Sequence, residues 1–466
     1  MSETTTDMTD RGHMADMADT AGCADSRDTM TTPEARMGGA RRMRILDACM
    51  DFALVFAIIY NSNSLWALAG DNFSLSCIVL CLVGMAYVLW CWWLHRARAR
   101  RTGYAMCALM AATVVGQLIM TIAHGGSGFT DGTWFQYALI VPILLGCMLM
   151  RGRDYLRTVL FVRLVWVAAA FAAISVLLWF ATSFLMLPPS HWETLAWVHD
   201  APPIASYLDV YYNVQDAHVL GMTVWRNSSI FNEPPCASAF YGIVLAIDLY
   251  VVKKPHWIAD VCLIAALATS LSTGGVLYIL LLLVPLLWKA MWHVRRKALR
   301  YTLLTGAAVV SLVAVVVGVR LVVSKLATSY SGQTHLLDFT EGVRIWWQHP
   351  LVGFGFNSDA YIWTHYMSAY RDGMGYTSGL LFLLIHGGLV LGIYMLAPFV
   401  LMVAGERDWH AWYAVGFTML VFITTPIQNC AFLLLMAAYG YASFIWRYRA
   451  RLAALPIIRK EASAHA

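Results

Sequence analysis

Residues 74–94 read SLSCIVLCLVGMAYVLWCWWL, and residues 95–101, HRARARR, follow them directly. The first stretch has no charged residue and is long enough to cross the hydrocarbon core of a bilayer as a helix, which takes about 20 apolar residues. A helix is favoured because lipid offers no partner for an unpaired backbone amide. This stretch therefore predicts a membrane-spanning helix that ends at a positively charged edge.

Similar apolar runs recur along the whole chain. Hydrophobic residues make up 60% of the 466 residues and charged residues only 13%, whereas soluble domains carry about a quarter charged residues. We therefore predict an all-α, multi-pass membrane protein with about twelve transmembrane helices. The predicted spans are residues 45–69, 74–94, 103–123, 134–150, 158–187, 236–252, 257–272, 275–292, 301–323, 376–403, 409–426 and 430–446.

Positive charge is distributed unevenly between the two predicted sides. With the N-terminus in the cytoplasm, 27 of the 32 Lys and Arg residues fall on the cytoplasmic side, as the positive-inside rule requires. The chain then divides into a disordered cytoplasmic tail (1–43), a membrane domain (44–447) and a basic cytoplasmic tail (448–466). The two longest outer loops, 188–235 and 324–375, are predicted to carry function, because long loops on a rigid scaffold often do.

The cysteines do not indicate a disulfide framework. Most of the ten lie inside apolar runs, and no CxxC motif occurs. We predict neither a disulfide nor a metal site from this pattern. The net charge of +5 is modest, and we expect no cofactor and no nucleic-acid partner.

Arg226 is nearly alone as a positive charge in the first outer loop, where residues 225–235 read WRNSSIFNEPP. Proline fits the first turn of a helix, and an acidic residue just ahead of it complements the helix dipole. Glu233 is therefore either a helix-start residue or a catalytic base. Arg226 is an interfacial residue, a partner of Glu233, or an anion-binding group.

A second cluster begins at Arg344, where residues 344–357 read RIWWQHPLVGFGFN. The tryptophans suit a helix that lies at the membrane interface. Gly353 and Gly355 allow a tight turn with exposed backbone amides. Such amides beside an arginine suit a phosphate group. The alternative is a purely structural amphipathic helix with a glycine turn.

Together these segments resemble the O-antigen ligase and Wzy-type polysaccharide polymerase superfamily. Besides the number of spans, the resemblance depends on four segments: RNSSIFNEP at 226–234, LSTGG at 271–275, the Arg–x10–Gly pattern from Arg344 to Gly355, and YTSGLLFLLIHGGLVLG at 376–392. The LSTGG segment lacks the arginine of the family's Ser-Arg-Gly turn, and a plain helix–helix turn is its other interpretation.

One departure from the family pattern helps to choose a branch. Ligases of this superfamily carry His-Asn or His-Ser just before span ten. The comparable positions here are Tyr376, Thr377 and Ser378, and His386 falls inside the predicted span instead. This difference favours a polymerase of exopolysaccharide or capsule over a ligase.

The resemblance implies a metal-independent glycosyl transfer at the outer face of a bacterial cytoplasmic (inner) membrane. Its substrates would be polyprenyl-diphosphate-linked oligosaccharides, and a chain-length regulator and a flippase would be partners besides the lipid bilayer. Arg344 and Arg226 would stabilise the departing diphosphate, and Glu233 would remove the acceptor proton. Further substrate-binding residues would be Arg371, Gly353, Gly355, His349, His365 and Asp372, of which His365 and Asp372 are also candidates for the base.

Three other functions remain open at this point. A ligase would transfer polymer to a different acceptor. A transporter or flippase would use intramembrane carboxylates and broken helices; Asp47, Asp51 and the turn at 271–275 are its support in the sequence. A membrane scaffold without activity would leave the arginines of the outer loops unexplained.

Overall fold

The structure is a computed structural model that describes residues 33–69, 72–94, 96–123, 136–194, 203–219, 221–309, 316, 320, 330–369, 375–405 and 409–453. The chain divides into two units, residues 1–49 and residues 50–466. The described part of the first unit is helical from Pro33 onward. Helix therefore begins ahead of residue 43, where the sequence predicted the disordered tail to end.

Helices make up most of the described chain, as the apolar runs predicted. The helices are α1 (Pro33–Tyr60), α2 (Phe73–Leu94), α3 (Arg96–Ala123), α4 (Gln136–Arg151), α5 (Arg153–Phe184), α6 (Pro234–Tyr250), α7 (Trp257–Thr269), α8 (Thr273–Trp292), α9 (297–309), α10 (Tyr330–Gln348), α11 (Gly379–Gly405), α12 (Trp409–Thr424) and α13 (Ala431–Ala453). Short helical turns lie at Leu65–Leu68, Phe356–Ser358, Asp359–Ile362 and Trp363–Met367.

Several of these helices are long and apolar enough to cross a membrane. Within the described ranges there are five such segments: Phe73–Leu94, Thr102–Met120, Arg153–Phe184, Thr273–Trp292 and Gly379–Ala404. Helices α4, α6, α7 and α12 are apolar but shorter. The 13 residues of α7 reach only about 20 Å at 1.5 Å per residue. The long helices fit a membrane protein, and fewer of them are full-length spans than the sequence predicted.

The burial pattern also fits an apolar surrounding. Helix α2 buries Leu80 and Tyr87 while it exposes Leu82 and Leu89, so both of its faces are apolar. Large exposed apolar surfaces are typical of contact with a membrane or with another protein. Helix α6 is buried along nearly its whole length, as expected for a helix that is apolar all round.

The segment between α5 and α6 contains short strands, which the sequence did not predict. Strands β1 (His191–Glu193), β2 (Ile204–Tyr207) and β3 (Tyr211–Asn213) form an antiparallel sheet in that order, and β4 (Asp216–Val219) pairs with β5 (Met222–Trp225). The predicted helical class is therefore confirmed in its main part, and two small sheets, which the sequence did not predict, add to it. Strands of three or four residues are too short to show a period-two pattern.

Helix α11 is interrupted at Gly388, whose backbone has φ 56° and ψ −156°. The loop that follows α10 lies against this break. The amide of Leu389 donates to the carbonyl of Pro350 at 2.9 Å, and the amide of Phe354 donates to the carbonyl of Ile385 at 2.7 Å. The loop thus satisfies backbone groups that the interrupted helix leaves without an intrahelical partner.

Candidate functional site

Arg226 follows β5 directly and is held on two sides. Its amide donates to the carbonyl of Gln215 at 2.8 Å. Its guanidinium donates through Nη1 to Oε1 of Gln215 at 2.7 Å and through Nε to the carbonyl of Ser270 at 3.3 Å. The side chain is half-buried. These contacts fix its orientation while they use two of its five side-chain N–H donors.

Glu233 acts on Arg226 through its charge. Burial lowers the pKa of the Arg226 guanidinium, and the negative charge of Glu233 raises it again in part. Glu233 is the N-cap residue of α6, and Pro234 follows as the first helical residue. Its carboxylate makes no capping hydrogen bond to the helix amides. The helix-start position predicted for Glu233 is therefore confirmed, while its carboxylate is directed to other interactions, including the one with Arg226.

Three serine hydroxyls contact one another at the turn whose Ser270 carbonyl binds Arg226. Oγ of Ser238 lies 2.9 Å from Oγ of Ser270 and 2.7 Å from Oγ of Ser272. Ser272 caps α8, because its Oγ accepts from the amide of Gly275 at 2.8 Å. The LSTGG segment is thus a capped helix–helix turn. Through the carbonyl of Ser270, this turn also positions Arg226, a role that the sequence did not indicate.

The glycine turn of the second cluster has a structural role. Gly353 and Gly355 adopt positive φ angles of 65° and 87°, as predicted for a tight turn. The amide of Gly353 donates to the carbonyl of His349 at 2.8 Å, and that of Gly355 donates to the carbonyl of His386 at 2.9 Å. The expectation that these amides are exposed for a phosphate is therefore wrong, because backbone carbonyls already occupy them.

A polar cluster stands where this turn meets α11. Nε2 of His386 lies 2.9 Å from Oδ1 of Asp359, and the hydroxyl of Tyr376 donates to the same oxygen at 3.1 Å. Nδ1 of His386 faces the carbonyl of Phe382 at 2.9 Å. Since both ring nitrogens face acceptors, both contacts are hydrogen bonds only when the ring carries two protons. The sequence pointed to His386 and Tyr376 but not to Asp359.

The environment of Asp359 favours its charged form. Burial raises the pKa of this carboxyl group, but the hydrogen bond and the charge of His386, together with the Tyr376 hydroxyl, lower it to below its usual value. The side chain is 50% exposed, whereas that of His386 is fully buried. Asp359 is therefore an ionised carboxylate that solvent or a ligand can reach.

Of the other predicted site residues, Arg344, His349 and His365 lie on the surface of residues 330–369. Arg344 is 74% exposed and contacts Oε2 of Glu341 at 3.4 Å, one helical turn away. His349 packs against Phe354, with ring centres 4.5 Å apart. His365 stacks on Tyr361 at 4.0 Å. Arg371 and Asp372 lie outside the described residues.

A cavity of about 360 Å³ opens between the C-terminal end of α5 and the first sheet. Its walls combine aromatic, proline and polar side chains: Thr182, Met186, Leu187, Pro188, Pro189, Trp192, Pro203, Ala205, Tyr207, Asn213 and Trp225. Oδ1 of Asn213 is buried and has no hydrogen-bond partner among the described residues. Trp225 precedes Arg226, but neither Arg226 nor Arg344 lines this cavity.

Asp51 belongs to a separate polar cluster. It is fully buried and accepts hydrogen bonds from the hydroxyls of Tyr87 and Tyr155, each at 2.6 Å, and from Arg163. Nη2 of Arg151 lies 3.8 Å away. Two arginines thus balance the charge of Asp51, which weakens the sequence support for a cation site at this residue.

Comparisons with known proteins assign no family and no function to this chain. No family model matches the chain, and no curated protein matches it.

Proposed function

We propose that this protein is a polysaccharide polymerase that joins polyprenyl-diphosphate-linked oligosaccharide repeat units at the outer face of a cytoplasmic membrane. The observation that carries the proposal is the environment of Arg226. Its guanidinium is fixed by Gln215 and Ser270 and is influenced by the charge of Glu233, and the residue before it, Trp225, lines the cavity. A fixed cation beside a carboxylate and an aromatic cavity suits a diphosphate-linked sugar.

The proposed topology places both termini in the cytoplasm and both outer segments on the opposite side. Its support is the charge distribution of the sequence, together with helices at or near each predicted span. The shortness of α6 is compatible with this arrangement. Because α6 is buried within the protein, it does not need to match the full lipid thickness.

In the proposed reaction, a hydroxyl group of one repeat unit attacks the anomeric carbon of the other chain. The new C–O bond forms as the bond to the diphosphate breaks, and polyprenyl diphosphate leaves with the electron pair. Arg226 stabilises the negative charge that develops on this leaving group. Glu233 accepts the proton of the attacking hydroxyl. The exposed Arg344 supplies a second guanidinium, whose weak contact with Glu341 a diphosphate can replace.

The test uses purified protein in detergent with a polyprenyl-diphosphate-linked repeat unit. We expect polymer and free polyprenyl diphosphate from the wild type, and loss of both with Arg226→Ala. Arg296→Ala is the matched control, since Arg296 is an exposed arginine between α8 and α9. Wild-type polymer formation by Arg226→Ala would overturn the proposal. Transfer to an added second acceptor, without polymer growth, would identify a ligase instead.

A transporter is the second candidate, and one observation favours it. Discontinuous membrane helices are typical of transporter binding sites, and α11 is discontinuous at Gly388. However, the loop after α10 already satisfies backbone groups on both sides of this break. The detergent assay separates the two functions, because covalent product forms without a second compartment only if the protein is an enzyme.

A further inference from the structure

Three side chains that can bind metal converge on one face of the first sheet. His191 and Glu193 point to the same face of β1, because side chains two positions apart on a strand do so. Asp209 joins them from the turn between β2 and β3. Nε2 of His191 lies 3.1 Å from Oε1 of Glu193 and 3.2 Å from Oδ1 of Asp209. One ligand atom from each residue lies within 4.8 Å of the other two.

We propose that His191, Glu193 and Asp209 bind one divalent transition-metal ion, of the Zn²⁺ or Mn²⁺ class. Metal–ligand bonds to imidazole nitrogen and carboxylate oxygen are about 2.0–2.2 Å long. At tetrahedral or octahedral angles, neighbouring ligand atoms are then about 3.0–3.5 Å apart. The two distances from Nε2 fall in this range, so that a small movement of the side chains admits the ion.

The charges of this cluster also favour a bound cation. Two carboxylates face a single imidazole nitrogen, which carries at most one proton. Even with His191 protonated, the three groups together keep one negative charge. Among the described residues, the ion pairs of Glu193 and Asp209 are those with His191. A divalent ion in contact with all three balances both carboxylates at once.

The surrounding residues position Asp209 for this role. Oδ1 of Asp209 accepts from Oγ of Ser206 at 3.0 Å and from the hydroxyl of Tyr212 at 3.4 Å. Such outer partners orient metal ligands in known sites. Leu208 is held in the turn by a hydrogen bond from its amide to Oγ of Ser190 at 3.1 Å.

The ligand set selects the class of metal. Ca²⁺ and Mg²⁺ prefer sites made of oxygen ligands. One imidazole nitrogen with two carboxylates suits Zn²⁺ or Mn²⁺ better, and affinity normally favours Zn²⁺ over Mn²⁺. The bound ion would connect β1 to the β2–β3 turn. It would thereby stiffen the sheet whose Trp192, Tyr207 and Asn213 line the cavity.

The test is calorimetric titration of the purified full-length protein in detergent with Zn²⁺ and, separately, with Mg²⁺. We expect one tight Zn²⁺ site and no comparable Mg²⁺ site. His191→Gln and Asp209→Asn should each weaken the Zn²⁺ site by about tenfold or more. His218→Gln is the matched control, because His218 is an exposed histidine on β4 of the same outer segment, and it should leave the affinity unchanged.

Size-exclusion chromatography of each variant checks that it is still folded. The Zn²⁺-dependent rise in the unfolding temperature gives a second readout, which should disappear in His191→Gln and persist in His218→Gln. Equal Zn²⁺ affinity in His191→Gln, Asp209→Asn and the wild type would overturn the proposal. So would a site that His218→Gln removes. Neither result bears on the polymerase assay.

Discussion

Two segments, one between α5 and α6 and the other between α10 and α11, each present an arginine near a turn and a proline, but its environment differs between them. Residues 203–219 and 221–235 form strands and a tight loop, in which Arg226 is half-buried and bound to Gln215 and to Ser270 of the α7–α8 turn. Residues 330–369 form a helix and helical turns, and Arg344 is 74% exposed. The first segment thus fixes its guanidinium by hydrogen bonds, whereas the second leaves its arginine exposed and packs its glycine turn into the break in α11. Substitutions in each segment test this difference.

The largest effect is expected from Arg226. Arg226→Ala removes a positioned guanidinium from the charge that develops on the leaving diphosphate, and loss of one such donor costs about 2.7–4 kcal/mol. Polymer formation should therefore fall by about two to three orders of magnitude. Arg226→Lys should recover part of this rate, because lysine restores the charge but not the forked geometry. Initial rates of polyprenyl diphosphate release measure both variants.

A larger loss of activity in Arg344→Ala than in Arg226→Ala would contradict the claim that the fixed arginine contributes more than the exposed one. Wild-type activity of Arg226→Lys would contradict it as well, because the contacts of the guanidinium with Gln215 and Ser270 would then have no chemical role.

The second-largest effect concerns the contact between the glycine turn and α11. A Cβ atom added at Gly388 would lie 2.4 Å from the backbone carbonyl group of Leu351, at a φ of 56°. Backbone strain and overpacking together should lower the stability of Gly388→Ala by roughly 2–4 kcal/mol. Gly416→Ala is the control, because no atom beyond its chain neighbours and its own helix backbone lies within 4 Å of its added Cβ.

Thermal unfolding in detergent measures this prediction. Gly416→Ala should leave the unfolding temperature unchanged or raise it, since alanine is favoured over glycine within a helix by about 1 kcal/mol. If Gly388→Ala were as stable as Gly416→Ala, the glycine turn would not be packed into α11 as described.

The sequence predicted the parts of this molecule that depend on local pattern. Apolar runs gave the positions of the helices, and Pro234 and Gly353 marked a helix start and a tight turn. These features follow from hydrophobicity and from backbone preferences at single positions. Helix lengths were predicted less well, since α7 has 13 residues in a predicted span of 257–272.

Features that depend on contacts between distant segments were not predictable from the pattern. Asp359 and His386 are 27 positions apart and meet only because the loop after α10 enters the break in α11. The same contact occupies the amide of Gly355, while the amide of Gly353 donates to His349 within the turn itself; the sequence suggested that both amides were free. The partners of Arg226, Gln215 and Ser270, come from a strand connection and from a helix–helix turn.

A smaller effect is expected from the ionised Asp359. Its folded-state pKa lies below the usual value, which is about 3.9 in an unfolded chain. The stability it contributes is therefore complete above about pH 4 and is lost as the pH falls through the lower folded-state pKa. Because this side chain is 50% exposed, the contribution is at most about 1 kcal/mol.

Asp359→Asn checks the sign of this contribution. The variant should unfold at a lower temperature than the wild type at pH 7, and the difference should shrink as the pH is lowered from 4 toward 2. A difference that grows on acidification would mean that the Asp359–His386 contact does not favour the carboxylate.

The smallest effect on stability is expected at Arg344. Its contact with Glu341 spans 3.4 Å on an exposed helix face, and such pairs contribute only about 0.2–0.5 kcal/mol. Arg344→Ala should therefore unfold at nearly the wild-type temperature.

The effect of Arg344→Ala on polymer formation should weaken as salt is added, because screening acts most on exposed charges. The effect of Arg226→Ala should persist. Equal salt dependence of the two variants would mean that salt screens both arginines to the same degree, contrary to the difference in their exposure.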